Sequence, residues 1–152
     1  MAITIYIDAD ACPVREETYK VAIRHNVPVV VVANNFLRVM QHPLISRIMV
    51  SDGFDAADNY IAEKANEDTI VITSDIPLAD RCIKAGSRVL APNGKPFTED
   101  SIGSALAVRA IMQDVRAGAM GENVGGPPPF SARDRSTFLQ VLHETVTSLK
   151  RS

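Results

Sequence analysis

Two aspartates, Asp8 and Asp10, stand two residues apart directly after the apolar run at residues 3–7, and the chain then turns at Cys12 and Pro13. In extended backbone, side chains two positions apart leave on the same side, so the pair offers two carboxylates in one direction. Asp75 and Asp80 follow a second apolar run at 69–73, while Asp55 and Asp58 lie three apart where a helix would begin and so share its face. Carboxylates gathered closely repel one another unless a cation neutralises them. Several oxygen donors without a His or Cys cluster favour Mg2+ or Mn2+ over zinc. Such a set suits metal-assisted attack of water on a phosphodiester.

Each acid also has an ordinary structural alternative. Asp55 reads first as a helix cap, and Asp58 suits the positive end of the same helix. Asp80 can pair with Arg81 or Lys84 on a solvated face. For Asp8 and Asp75 the alternative is weaker, because an acid at the exit of a fully apolar strand has little structural purpose.

The elements that must position these acids are legible as short apolar runs at 3–7, 27–33, 47–50, 69–73 and 88–91. These runs are continuous rather than alternating, the mark of strands buried on both faces in a parallel sheet. Helical patterns separate them: one opens at Pro13 and carries Val14, Thr18, Val21, Ala22 and His25 on one stripe, one turns Ala57, Ile61 and Ala65 inward, and one runs from Pro77 to a stop at Gly86. Strand and helix alternate as in a doubly wound unit. With spatial strand order 3-2-1-4-5, the first and fourth strands are neighbours at the switch point, where ligands bind such sheets, and Asp8 and Asp75 converge there.

Beyond the sheet a helical pattern covers about 100–117, and residues 118–130 form a loop with four glycines and three consecutive prolines. A Ser-x-x-Asp start then precedes a terminal helix whose inner stripe reads Phe138, Leu139, Leu142, Val146 and Leu149. The expectation is one domain over residues 1–152: an α/β, three-layer sandwich with a mainly parallel sheet of about five strands, helices on both faces and two C-terminal helices.

Charge is uneven along the chain. Residues 1–80 hold 6 Lys and Arg against 12 Asp and Glu, whereas residues 81–152 hold 10 against 6. An acidic half beside a basic half fits a metal cluster facing an anion-binding surface. Arg133 and Arg135 follow the prolines and stand near Phe130, as cations and aromatics do in single-strand binders. Arg109 shares a helix face with Arg116 and could add a phosphate contact. With 5% aromatic residues and no Trp, any grip on nucleic acid is mainly electrostatic. Two cysteines do not make a disulfide framework, so a reducing, cytoplasmic setting is expected, and no apolar run is long enough to cross a membrane.

Four blocks, "DADACPV", "TSDIPLAD", "VRAIMQDVRAGA" and "GGPPPFSARDRSTF", resemble the YaiI/YqxD family of bacterial proteins over essentially the whole chain. Those motifs are in turn similar to the PIN-like superfamily of metal-dependent ribonucleases, including its NYN and LabA-like groups. The resemblance implies a PIN-like fold and an acidic Mg2+ or Mn2+ site with Asp8, Asp58, Asp75 and Asp80 as metal ligands; Asp10 and the Cys-Pro pair belong to the narrower family pattern. The resulting expectation is a ribonuclease acting on single-stranded or structured RNA. Asp8, Asp10 and Asp75 are its catalytic acids, and Arg133, Arg135, Arg109 and Ser74 its substrate contacts; a homodimer is left open.

Three other readings compete. A haloacid-dehalogenase-type phosphatase would use Asp8 as nucleophile and Asp10 as acid/base, but the second strand exits into Ala33-Asn34-Asn35, without the Ser or Thr that mechanism wants. A thiol enzyme would use Cys12 at a helix N-terminus. A non-catalytic binding protein would hold a cation for stability and grip RNA or a partner with its basic half.

Overall fold

The computed structural model describes residues 2–9, 13–35, 37–50, 56–104 and 130–151. Five strands, β1 (Thr4–Asp8), β2 (Val29–Ala33), β3 (Ile45–Met49), β4 (Thr69–Ile72) and β5 (Arg88–Leu90), form one sheet in the order β3-β2-β1-β4-β5. All four pairings are parallel. This is the doubly wound order on which the convergence of Asp8 and Asp75 depends, and it places β1 between β2 and β4. Strands β1, β2 and β4 are buried on both faces, which is why their sequences do not alternate.

β3 departs from that reading. It starts at Ile45 rather than Arg47, and only Ile45 among its five residues is buried. An edge strand has one neighbour, so its outward side chains, Arg47 and the half-exposed Met49, meet water. The opposite edge is covered: the chain turns after β5, the Ala91 N–H donates to the Lys95 carbonyl and the Phe97 N–H to that of Val89.

Helix α1 (Arg15–His25) and the last helix lie on one face, and α2 (Ala56–Lys64) and α3 (Ile76–Lys84) on the other. A further helix, α4, includes described residues 99–104 and puts Ile102 into the α2/α3 core; the remainder of the expected 100–117 helix, and the Gly/Pro-rich loop up to 129, lie outside the described residues. The last helix, α5 (Ala132–Arg151), begins with the anticipated reciprocal cap, the Ser131 N–H donating to Asp134 Oδ2 at 3.0 Å and the Asp134 N–H to Ser131 Oγ at 3.1 Å.

Two helices end in Schellman turns. After α3, Gly86 at φ 96° lets its own N–H reach the Ile83 carbonyl and that of Ser87 reach Cys82. After α1, Asn26 takes the same role at φ 57°, one of the few residue types that visits that region without a large penalty.

α1 and α5 run side by side in the same direction. Near their starts Arg135 pairs with Glu17, and at the end of α1 His25 Nε2 meets His143 Nδ1 at 2.8 Å. Burial, followed by His143, Lys150 and Arg24, lowers the pKa of His25. A neutral ring is what an imidazole pair needs, since one nitrogen must accept.

The buried stripe of α5 is Phe138, Leu142 and Val146, with Leu149 partly covered. Leu139, expected inside, is 38% exposed. One position along a helix turns the side chain by about 100°, and Phe138 already fills the inward direction. Phe138→Ala should therefore cost about 3–5 kcal/mol of unfolding free energy, and Leu139→Ala less than about 1 kcal/mol. Urea titration of the two variants checks this; equal losses would contradict the packing.

Candidate functional site

Alternation along β1 sends Ile5 and Ile7 into the α1/α5 core and Tyr6 toward the α2/α3 core. Asp8, the next even position, therefore leaves on the α2/α3 side at the carboxyl end of the sheet. On β4 the same rule sends Val71, and Thr73 just beyond the strand, that way. The β1–β4 register pairs Ile7 with Ile72, so Asp8 and Thr73 arrive together.

The Thr73 hydroxyl donates to Asp8 Oδ2 at 2.9 Å and accepts from the Asp75 N–H at 3.0 Å. Asp8 is 5% exposed and Thr73 fully buried. A buried carboxylate without donors is expensive, and the hydroxyl supplies one while its orientation is set from the neighbouring strand's exit. The relay thus joins the two strand exits on either side of the switch point.

Asp75 has a structural role that the sequence reading did not assign. It is the N-cap of α3: its Oδ1 accepts from the Leu78 N–H at 2.9 Å, and Pro77 follows in the first turn. Having little structural purpose is thus an expectation the structure corrects for Asp75. Its other carboxylate oxygen has no partner among the described residues. Asp80 takes the ordinary alternative, an ion pair with Lys84 at 2.9 Å one helical turn on. Asp58 is half-buried on α2, near enough to Cys82 to act on its thiol electrostatically.

Ser74 is exposed between Thr73 and Asp75. Arg135 does sit on Phe130, its guanidinium 4.9 Å from the ring centroid, but it is engaged inside the protein: Nη1 donates to the Pro13 carbonyl at 2.9 Å and pairs with Glu17 at 3.3 Å. Arg133 is exposed, with no side-chain partner among the described residues. Asp10, Asp55, Cys12 and Arg109 lie outside the described residues. Among the described residues no three His, Cys, Asp or Glu side chains gather in a group able to hold a metal ion, so Asp8, Asp58, Asp75 and Asp80 do not form a complete site by themselves.

Thr73 is the site residue that sequence reasoning missed. It closes an apolar β-branched run and reads as strand; its signal was its register, one residue past the partner of Ile7. Cys82 is buried in the α2/α3 core, where burial, opposed by Arg81 and reinforced by Asp58, pushes its thiol up to about 11. It is not a nucleophile at neutral pH. The histidines serve elsewhere, His25 and His143 on each other and His42 Nδ1 as acceptor from the Leu44 N–H.

A family model described as "Uncharacterized BCR, YaiI/YqxD family" matches residues 6–148. The chain belongs to that family. It is 65% identical over 147 residues to a "UPF0178 protein" of Sphingopyxis alaskensis, covering 97% of this chain and 95% of the relative. A "UPF0178 protein bll3966" of Bradyrhizobium diazoefficiens is 60% identical, covering 97% of this chain and 87% of its own length. A "UPF0178 protein" of Nitrobacter winogradskyi is 58% identical over 99% of this chain and 95% of its own. No solved structure matches the chain. Among the described residues no helix is long and apolar enough to cross a membrane.

Thr73→Val, which keeps the shape and removes the donor to Asp8, should lose about 1–3 kcal/mol of stability, whereas Thr73→Ser should retain most of it; denaturant titration of both decides. Cys82 should resist iodoacetamide at pH 8 in the folded protein and react once it is unfolded in urea, read by mass spectrometry of the Cys82 peptide.

Proposed function

We propose that this YaiI/YqxD-family protein is a divalent-cation-dependent phosphodiesterase that cuts RNA at the carboxyl end of β1 and β4. The observation that carries the reading is the buried Asp8 carboxylate at the exit of the central strand. It is held by Thr73 and linked through that hydroxyl to Asp75 at the switch point of the sheet. Doubly wound sheets present their ligands with side chains at this rim. Such a charge is costly to keep and serves well as a fixed oxygen donor.

The donor chemistry fits a hard cation: the acids at the rim offer oxygen, and the His and Cys residues placed by the structure are occupied or buried elsewhere. Asp8 and the second oxygen of Asp75 would hold Mg2+ or Mn2+, with Asp58 and the acids outside the described residues, Asp10 foremost, completing the set. Asp80 is left out, since Lys84 already neutralises it. The bound cation would supply water activation and charge neutralisation at the phosphodiester. Thr73 would keep Asp8 in one orientation, and Asp75 would at once cap α3 and face the substrate. Exposed Ser74 and Arg133 remain candidate substrate contacts.

Asp8→Asn should lower Mn2+-dependent cleavage of mixed single-stranded RNA by a hundredfold or more, since a lost ligand removes several kcal/mol of charge stabilisation, and it should weaken Mn2+ binding in calorimetry. Asp75→Asn separates the two roles of that residue: an asparagine still caps, so stability should hold while cleavage falls. Undiminished turnover in Asp8→Asn would remove the mechanism. Metal binding without turnover in the wild type would favour a non-catalytic RNA-binding role, and a trapped phosphoryl adduct on Asp8 a phosphatase.

A further inference from the structure

The segment that joins β2 to β3 alternates. Leu37 and Val39 pack against the α1/α5 core, so Arg38 and Met40 face outward, Met40 with 44% exposure. Arg47, on the open edge strand, donates from Nη1 to the Leu37 carbonyl at 2.8 Å, which fixes its guanidinium beside that segment. Across from it, Arg15 opens α1 seven residues after Asp8. Between these groups lie two hollows of about 310 and 420 Å³, the first flanked by Arg15 and the second by Arg47. Arg38, Val39 and Met40 line both hollows, so the two adjoin along that segment as a trough with these residues as its shared wall. Among the described residues three arginines and His42 line it against one acid, Glu16.

We infer that this trough carries single-stranded RNA flanking the cleavage site, with Arg15 and Arg38 on its phosphates and Arg47, held to the Leu37 carbonyl, adding positive charge at the far hollow. The inference rests on the hydrolase reading for what happens at Asp8, but the trough binds by its own chemistry. Arginine meets phosphate oxygens with a planar fork of donors and is lightly hydrated. The cations are shared between two adjoining hollows, Arg15 at one and Arg47 at the other, rather than gathered in one, which suits several phosphates better than a single one. The trough lies on the α1 side of the sheet, whereas Asp8 turns to the α2/α3 side, so its arginines cannot hold the phosphate being cut. They can hold those that follow it over the rim. A flexible single strand enters a recess between a helix and a connecting segment; a rigid duplex would touch only its lips. Among the described residues the wall offers Met40 and no exposed aromatic anchor of the kind that dominates protein interfaces, so charge is the recognition element proposed. This also moves the RNA grip away from Arg135, which Glu17 and the Pro13 carbonyl already occupy.

The test is fluorescence anisotropy of a labelled 12-nucleotide oligouridine in EDTA, where no cleavage occurs, with the full chain at several salt concentrations. The Arg15→Ala/Arg38→Ala double variant should bind roughly tenfold more weakly at 0.1 M salt, and the slope of log K against log salt should flatten by about 1.4, at ~0.7 per phosphate contact. Arg38→Glu alone should weaken binding more than Arg38→Ala. Arg88→Ala, on the opposite sheet edge, should bind as wild type. Wild-type affinity and slope in the double variant, no binding by the wild type, equal affinity for a duplex, or displacement of the oligouridine by polyglutamate at equal charge would each overturn the proposal. Asp8→Asn keeps the two readings apart. RNA binding lost in the double variant while Asp8→Asn still cleaves leaves the trough and removes the Asp8 mechanism; the converse leaves the Asp8 mechanism and removes the trough.

Discussion

The burial of one negative charge at the end of the central strand constrains much of this molecule. Asp8 ends β1 with 5% of its surface exposed, and a carboxylate there is tolerable only where donors are supplied in place of water. The Thr73 hydroxyl is one such donor, and its own position follows from the parallel register of β1 and β4. The Asp75 N–H orients that hydroxyl, and the Asp75 side chain starts α3. Strand pairing, the strand exit, a helix start and the charged group are thus one connected unit. Sliding β4 by one residue would turn Thr73 to the other face and take that donor away from Asp8.

The opposite face of the sheet is held by different means. α5 closes the α1 core with Phe138, Leu142 and Val146, and polar contacts set how it lies along α1. Arg135 reaches Glu17 and the Pro13 carbonyl near the starts, His143 meets His25 at the end of α1, and Lys150 donates back to the His25 carbonyl. The apolar contacts supply most of the free energy, since buried area is non-directional and large; the polar contacts choose the register. Through Arg135 the docking of α5 also holds the backbone at Pro13, just before α1.

On the proposed function, the placement of some of the charges suits a polymer substrate. The acids Asp8, Asp58 and Asp75 belong to the rim and the α2/α3 side, and the arginines Arg15, Arg38 and Arg47 to the α1 side and the open edge. Cations packed directly against Asp8 would neutralise it and compete with a metal ion. In the proposed reading, cations on the other face would attract a polyanion without quenching the acid.

The five strands, their near-continuous apolar character and the alternation with helices were legible in the residues, because periods of 2 and 3.6 are local properties of the chain. The Ser131–Asp134 cap and the Gly86 stop were legible for the same reason, and the cap at Asp75 could have been, since Pro77 stands two residues after it in a first helical turn. The extent of β3 was misread because Ile45 and Ser46 precede its apolar run, and exposure at an edge depends on having one neighbour instead of two. Leu139 was misread because periodicity tolerates an error of one residue where packing does not. Only the tertiary structure decided what Asp8 touches: Thr73 is 65 residues away in sequence and Glu17 lies 118 residues from Arg135, and no local pattern carries such pairings. Sequence by itself determined which side chains could carry charge to the rim and which segments would be strands or helices. The sheet's register and the docking of α5 decided which of those charges are buried, which are spent on caps and ion pairs, and which are left facing solvent, because those outcomes depend on distances that only the folded chain defines.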